Sequence, residues 1–94
     1  MALVSVPFTL PGLLTSCTGG QKEVTIEAET VAGAIDALLA SFPLLRVHLY
    51  EEGGGLRPHV MFLYNDQSIK WLPSLDIALQ DGDRMTVLQL VSGG

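Results

Sequence analysis

Cysteine and positive charge are what this 94-residue sequence lacks most: Cys17 is its single cysteine, and lysine and arginine together number five. One cysteine excludes an intramolecular disulfide, a CxxC redox pair and a cysteine-based zinc site, and it suits a reducing, cytoplasmic setting. Ten Asp and Glu against five cations leave a formal net charge of −5. Such a surface repels phosphate backbones, which argues against nucleic acid, and it favours a partner protein with a basic docking face. No apolar run approaches the roughly 20 residues that cross a bilayer as a helix, so no membrane role is expected. The apolar stretch from Met1 to Leu14 is interrupted by Pro7 and Pro11, and the first cation is Lys22; it lacks the charged start of a secretory leader. His48 and His59 are not clustered with cysteine or acids at ligand spacing, so no metal is expected and each reads as a surface or packing residue. Gly53-Gly54-Gly55 has no following Lys-Ser/Thr and no helix start, which excludes a phosphate loop, and no nucleophile elbow is present.

Hydrophobic residues make up 48% of the chain and charged residues 16%, a balance that argues for a folded core rather than disorder. The length fits one compact domain over residues 1–94, with roughly 60–65% of the extended chain's surface buried. Residues 2–10 read as a first strand, and 11–22 as loop and turn. Val24, Ile26 and Ala28 alternate strictly and mark a second, half-buried strand over 23–28. Val31, Ile35, Leu38, Leu39 and Phe42 recur at helical spacing. They predict a helix over 31–42, with Thr30 as N-cap and Pro43 as terminator. Gly33 inside that helix costs roughly 1 kcal/mol against alanine, which points to close packing on a sheet. Residues 44–57 are ambiguous: Leu45, Val47 and Leu49 alternate as a short strand would, and Glu51 to Gly55 reads as a solvated loop. Residues 59–64 read as a buried strand, Asn65-Asp66 as a turn, and Ile69 to Leu72 as a short return strand. Pro73-Ser74 opens a helical turn over Leu75–Leu79, Asp81-Gly82-Asp83 turns again, and 84–91 form the last strand. Phe62 and Trp71 read as packing residues and Cys17 as a passive loop residue. This order gives an α+β domain, one sheet with one main helix on one face.

The last strand runs straight into Ser92-Gly93-Gly94. A chance Gly-Gly doublet there has a probability of roughly 0.5–1% from average glycine usage. Together with Thr18-Gly19-Gly20-Gln21 in the first loop, Tyr64-Asn65-Asp66, Leu79-Gln80-Asp81-Gly82-Asp83, Thr86-Val87-Leu88 and the final Val91-Ser92-Gly93-Gly94, the chain resembles the ubiquitin-like sulfur carriers. That family includes the small subunit of molybdopterin synthase, the thiamine-pathway carrier and the cysteine-biosynthesis carriers of actinobacteria. The Thr-Gly-Gly-Gln loop is nearest the last of these.

The resemblance implies a β-grasp (ubiquitin-like) fold, a mixed sheet of four to five strands with one main helix, and a flexible tail over 91–94. It implies a protein co-substrate rather than an enzyme. An adenylating enzyme related to ubiquitin-activating enzymes, using its own ATP-Mg, would activate the Gly94 carboxylate, and a sulfur donor would turn it into a thiocarboxylate. The carrier itself would hold no permanent cofactor. Gly93 would let the tip thread into the partner, because glycine carries no Cβ. Period-two alternation places Met85 and Val87 on one face of the last strand and Leu88 and Leu90 on the other. The family binds its adenylating enzyme through an apolar patch there, so the resemblance implies Leu88, Leu90, Val91 and Ser92 as partner contacts. Further partners would be the sulfur-acceptor enzyme and a metalloprotease or sulfurtransferase. A molybdopterin-synthase subunit, a ubiquitin-like protein modifier, and a plain β-grasp interaction module stay open as alternatives.

Overall fold

The structure, a computed structural model, describes residues 3–90; the tail expected over 91–94 lies outside the described residues. Strands β1 (Val4–Thr9) and β2 (Glu23–Ala28) form an antiparallel hairpin, with Val6 opposite Ile26 and Phe8 opposite Val24. Helices α1 (Val31–Ser41) and α2 (Leu44–Leu49) follow, then β3 (Val60–Tyr64), the two-residue β4 (Gln67–Ser68) and β5 (Met85–Gln89). The strands build one mixed sheet in the order β2-β1-β5-β3-β4. The last strand thus lies in the middle, parallel to β1 and antiparallel to β3. This is the β-grasp arrangement, with the helices on one face.

Alternation decides which face is buried. Val6 and Phe8, Val24 and Ile26, Val60 and Phe62, and Met85 and Val87 all point to the helices and are almost fully buried. Each such side chain contributes roughly 1.5–3 kcal/mol relative to staying exposed. From α1, Val31, Ala34, Ile35, Leu38 and Leu39 close over them. Thr30 caps α1 as expected, its Oγ1 accepting from Gly33 N at 3.0 Å. A Cβ at Gly33 would stand 3.2 Å from that same oxygen and 3.7 Å from Ala28 Cβ. The tight approach is to the capping oxygen, whereas the distance to the end of β2 is an ordinary van der Waals contact.

Four expectations are corrected. Residues 44–49 form a helix, not a strand: Leu45 and Leu49, one turn apart, are completely buried, while Val47 between them faces outward. The first loop contains a 3₁₀ helix over Gly12–Cys17 that buries Leu14 and Cys17, so Cys17 belongs to the core. The return strand is Gln67–Ser68, and Ile69–Trp71 is a 3₁₀ turn that leaves Trp71 76% exposed rather than packed. Residues 75–79 are extended, not helical. Their period-two pattern turns Leu75, Ile77 and Leu79 inward, and the carbonyls of Ile77 and Leu75 accept from Val31 N and Ala32 N at 3.1 and 2.9 Å. The segment thereby supplies acceptors that the first turn of α1 lacks within itself.

Candidate functional site

Everything that positions the chain terminus acts through β5. Its inward residues Met85 and Val87 are locked in the core, so Leu88 must stand on the opposite, open face. Leu88 is paired across the sheet with Met61, and Thr86 with Leu63. The ladder continues one residue past β5, where Leu90 N donates to His59 O at 2.7 Å. Leu90 is 54% exposed. Met61, Leu63, Leu88 and Leu90 therefore make an apolar patch on the β3–β5 half of the open face. The β2 end of that face shows Glu23, Thr25 and Glu27. Leu88 and Leu90 stand where the alternation placed them, whereas Val91, Ser92, Gly93 and Gly94 lie outside the described residues.

The start of β5 is clamped by a polar cluster that sequence reasoning saw only as two separate turn motifs. Asp83 accepts from Tyr64 Oη at 2.6 Å, from Asn65 Nδ2 at 3.2 Å and from Gln80 N at 2.9 Å. Asn65 Oδ1 accepts from Arg84 N at 3.0 Å, and Asn65 N donates to Arg84 O at 2.8 Å. Asn65 sits at φ 54°, a left-handed conformation that asparagine tolerates better than most residues. Arg84 also pairs with Asp66 on the surface, where such a bridge adds little. The spacing from Tyr64 to Asp83 carries no local signal; only the pairing of β3 with β5 brings them together.

Burial pushes the Asp83 carboxyl upward, but the hydrogen bonds from Tyr64, Gln80 N and Asn65 outweigh it and hold the group below its ordinary 3.8. The same bond, with burial and the carboxylate's charge, raises the Tyr64 phenol above its ordinary 10.0. A folded carboxyl with a lowered pKa stabilises the fold fully above its unfolded value, and that contribution disappears as pH falls through the folded value. Asp83→Asn should accordingly lose about 1 kcal/mol near neutral pH and flatten the loss of stability in acid. Urea midpoints measured from neutral to acid pH for both proteins check this; parallel curves would separate Asp83 from acid unfolding.

The Thr-Gly-Gly-Gln motif has a structural role in the described fold. Thr18 Oγ1 donates to Gln21 O at 2.6 Å and Gly20 N to Thr15 O at 2.8 Å. Gly19 and Gly20 take φ of 68° and 92°, which glycine adopts without strain. His48 and His59 are exposed. Among the described residues, no group of three His, Cys, Asp or Glu could hold a metal, and no helix is long and apolar enough to cross a membrane.

Comparison with known proteins fits this architecture. The model of the ThiS family matches residues 8–94, which includes both terminal glycines. The chain belongs to the ThiS family. The sulfur carrier protein CysO of Mycobacterium tuberculosis is 31% identical over 93 residues, covering 97% of this chain and 100% of the relative. CysO in the Amycolatopsis orientalis BexX/CysO complex superposes with a TM-score of 0.77 at 29% identity, covering 95% of this chain and 99% of that one. Small archaeal modifier protein 1 of Methanosarcina acetivorans gives 0.79 at 26% identity, with both chains fully covered. CysO is by name a sulfur carrier protein, and the family is one of small carriers that serve as co-substrates rather than catalysts.

Proposed function

We propose that this ThiS-family protein carries sulfur on Gly94 as a C-terminal thiocarboxylate. A carboxylate oxygen of Gly94 attacks the α-phosphorus of ATP on an adenylating partner, and pyrophosphate leaves. A sulfide-level donor then attacks the acyl carbon and AMP departs, so that one carboxyl oxygen is exchanged for sulfur. An acyl adenylate is needed because a free carboxylate is a poor electrophile. The observation that carries the reading is the family match running through Gly93-Gly94. The central, doubly paired position of β5 supports it, because that strand delivers the tail from a rigid frame. The patch of Met61, Leu63, Leu88 and Leu90 is the docking face for the adenylating enzyme in this reading.

The likeness to CysO favours delivery of sulfur into cysteine biosynthesis over the molybdopterin pathway. Intact-mass spectrometry after incubation with the adenylating partner, ATP-Mg and sulfide tests the core claim. The expected mass change is that of one oxygen replaced by sulfur. An unchanged mass beside a partner that activates a control carrier would remove it. The likeness to small archaeal modifier protein 1 favours a second reading, attachment of Gly94 to lysines of other proteins. High-mass conjugates that vanish when Gly94 is deleted would support it.

A further inference from the structure

Helix α2 and the turn after it line an open pocket of about 450 Å³ walled by Arg46, Val47, Tyr50, Glu51 and Arg57. Arg57 is held in place: its N donates to Leu49 O at 2.9 Å and its Nη2 to Val47 O at 3.0 Å. Arg46 lies over the Tyr50 ring, 5.5 Å from its centroid. Neither guanidinium has a carboxylate within ion-pair distance among the described residues, where the ion pair found is Arg84–Asp66. A guanidinium offers five N–H donors, so both keep donors to spare. Beside them, Val47 and Leu44, one turn apart, are 63% and 60% exposed.

The place of this pocket gives it meaning. Arg57 precedes His59 by two residues, and His59 O holds Leu90 N, at the root of the tail. Helix α2 buries Leu45 and Leu49 and packs against the 3₁₀ helix Gly12–Cys17 and against α1, whereas the apolar patch lies on the open face of the sheet. The pocket is thus joined to the tail root through the start of β3, where Val60 N donates to Arg57 O at 3.0 Å and His59 O accepts from Leu90 N. A protein that draws the tail tip into a narrow channel brings the channel's rim to the patch and to the start of β3, next to Arg57. Guanidiniums covered by such a rim lose water and need an anionic partner.

We infer that the adenylating partner seats an Asp or Glu side chain of its channel rim between Arg46 and Arg57, over Val47. Glu51 and Glu52 also line the pocket, so an incoming acid is repelled from the turn residues 51–52 and drawn to the two guanidiniums. The flank is a local exception to a chain of net charge −5, and it reverses, at this place, the expectation of a basic docking face. The inference rests on the sulfur-carrier reading and adds the chemistry of the partner to it.

Pyrophosphate release by the adenylating enzyme, measured against carrier concentration, tests it. In Arg46→Glu/Arg57→Glu the KM for the carrier should rise about tenfold with kcat retained, the pattern of lost docking charges. In Arg46→Gln/Arg57→Gln it should rise a few-fold, and added salt should weaken the Gln pair less than the native protein. The Gln pair carries the test if the Glu pair does not fold, as judged by circular dichroism. Native KM and native salt dependence in folded variants would overturn the inference. Absence of pyrophosphate release with the native chain would instead overturn the sulfur-carrier reading.

Discussion

Gly94→Ala is expected to reduce adenylation by about 100-fold or more while leaving the domain as stable as before. The two halves of that expectation have separate causes. Among the described residues the buried core runs from Val6 to Val87, and the stability of that core is expected to be indifferent to a methyl group added at position 94. In the proposed reaction a carboxylate oxygen of Gly94, in contrast, must reach the α-phosphorus of an ATP held inside another protein. Glycine adopts backbone conformations that a Cβ forbids, and its lack of a side chain lets the main chain enter a narrow channel. A displacement of about 1 Å at the reacting atom is enough to cost about 100-fold. Gly93→Ala should act in the same direction, through the channel rather than through the reacting carbon. Pyrophosphate release and intact mass provide the activity readout, and urea denaturation provides the stability readout. A Gly94→Ala protein adenylated at the native rate would remove the threading argument and leave the terminal glycine without a role in activation.

How much of this was legible in the residues depends on whether a pattern is local. The strict alternation of Val24, Ile26 and Ala28, the helical stripe from Val31 to Leu39 and the inward pair Met85–Val87 were readable because each buries one face of one element. Thr30 was readable as a cap because capping acts over three residues. Residues 44–49 misled because Leu45, Val47 and Leu49 alternate in sequence, while burial selects only Leu45 and Leu49, which is helical spacing. Residues 75–79 misled in the opposite sense. Pro73-Ser74 resembles a helix start, but the segment is needed in extended form to bond the first turn of α1. The clamp around Asp83 and the arginine flank were invisible for one shared reason. Tyr64 meets Asp83, and the start of β3 next to Arg57 meets Leu90 through the His59 carbonyl, only after the sheet has been assembled. The candidacy of Gly93 and Gly94 rests on the tail motif alone, and the patch around Leu88 was legible by half: alternation placed Leu88 and Leu90, and strand pairing added Met61 and Leu63.

Leu88→Asp should raise the KM for the carrier in adenylation by about 30-fold, equivalent to about 2 kcal/mol of docking energy. Leu88 stands on the central strand, opposite Met61 and outside the core, so the substitution leaves Met85, Val87 and Phe62 packed. On the folded domain alone it costs at most about 1 kcal/mol, the span of strand preference. In the complex the same carboxylate would be buried against an apolar surface without a partner, where the cost is several times that of a lost methyl contact. Thr25→Asp is the informative control. It adds the same charge to the same face, but on β2 among Glu23 and Glu27, away from the β3–β5 patch. Long-range repulsion would affect both variants alike, whereas a docking site at the patch affects Leu88→Asp alone. Unchanged KM in a folded Leu88→Asp protein would remove Leu88 from the interface. Equal losses in both variants would reassign the effect to net charge.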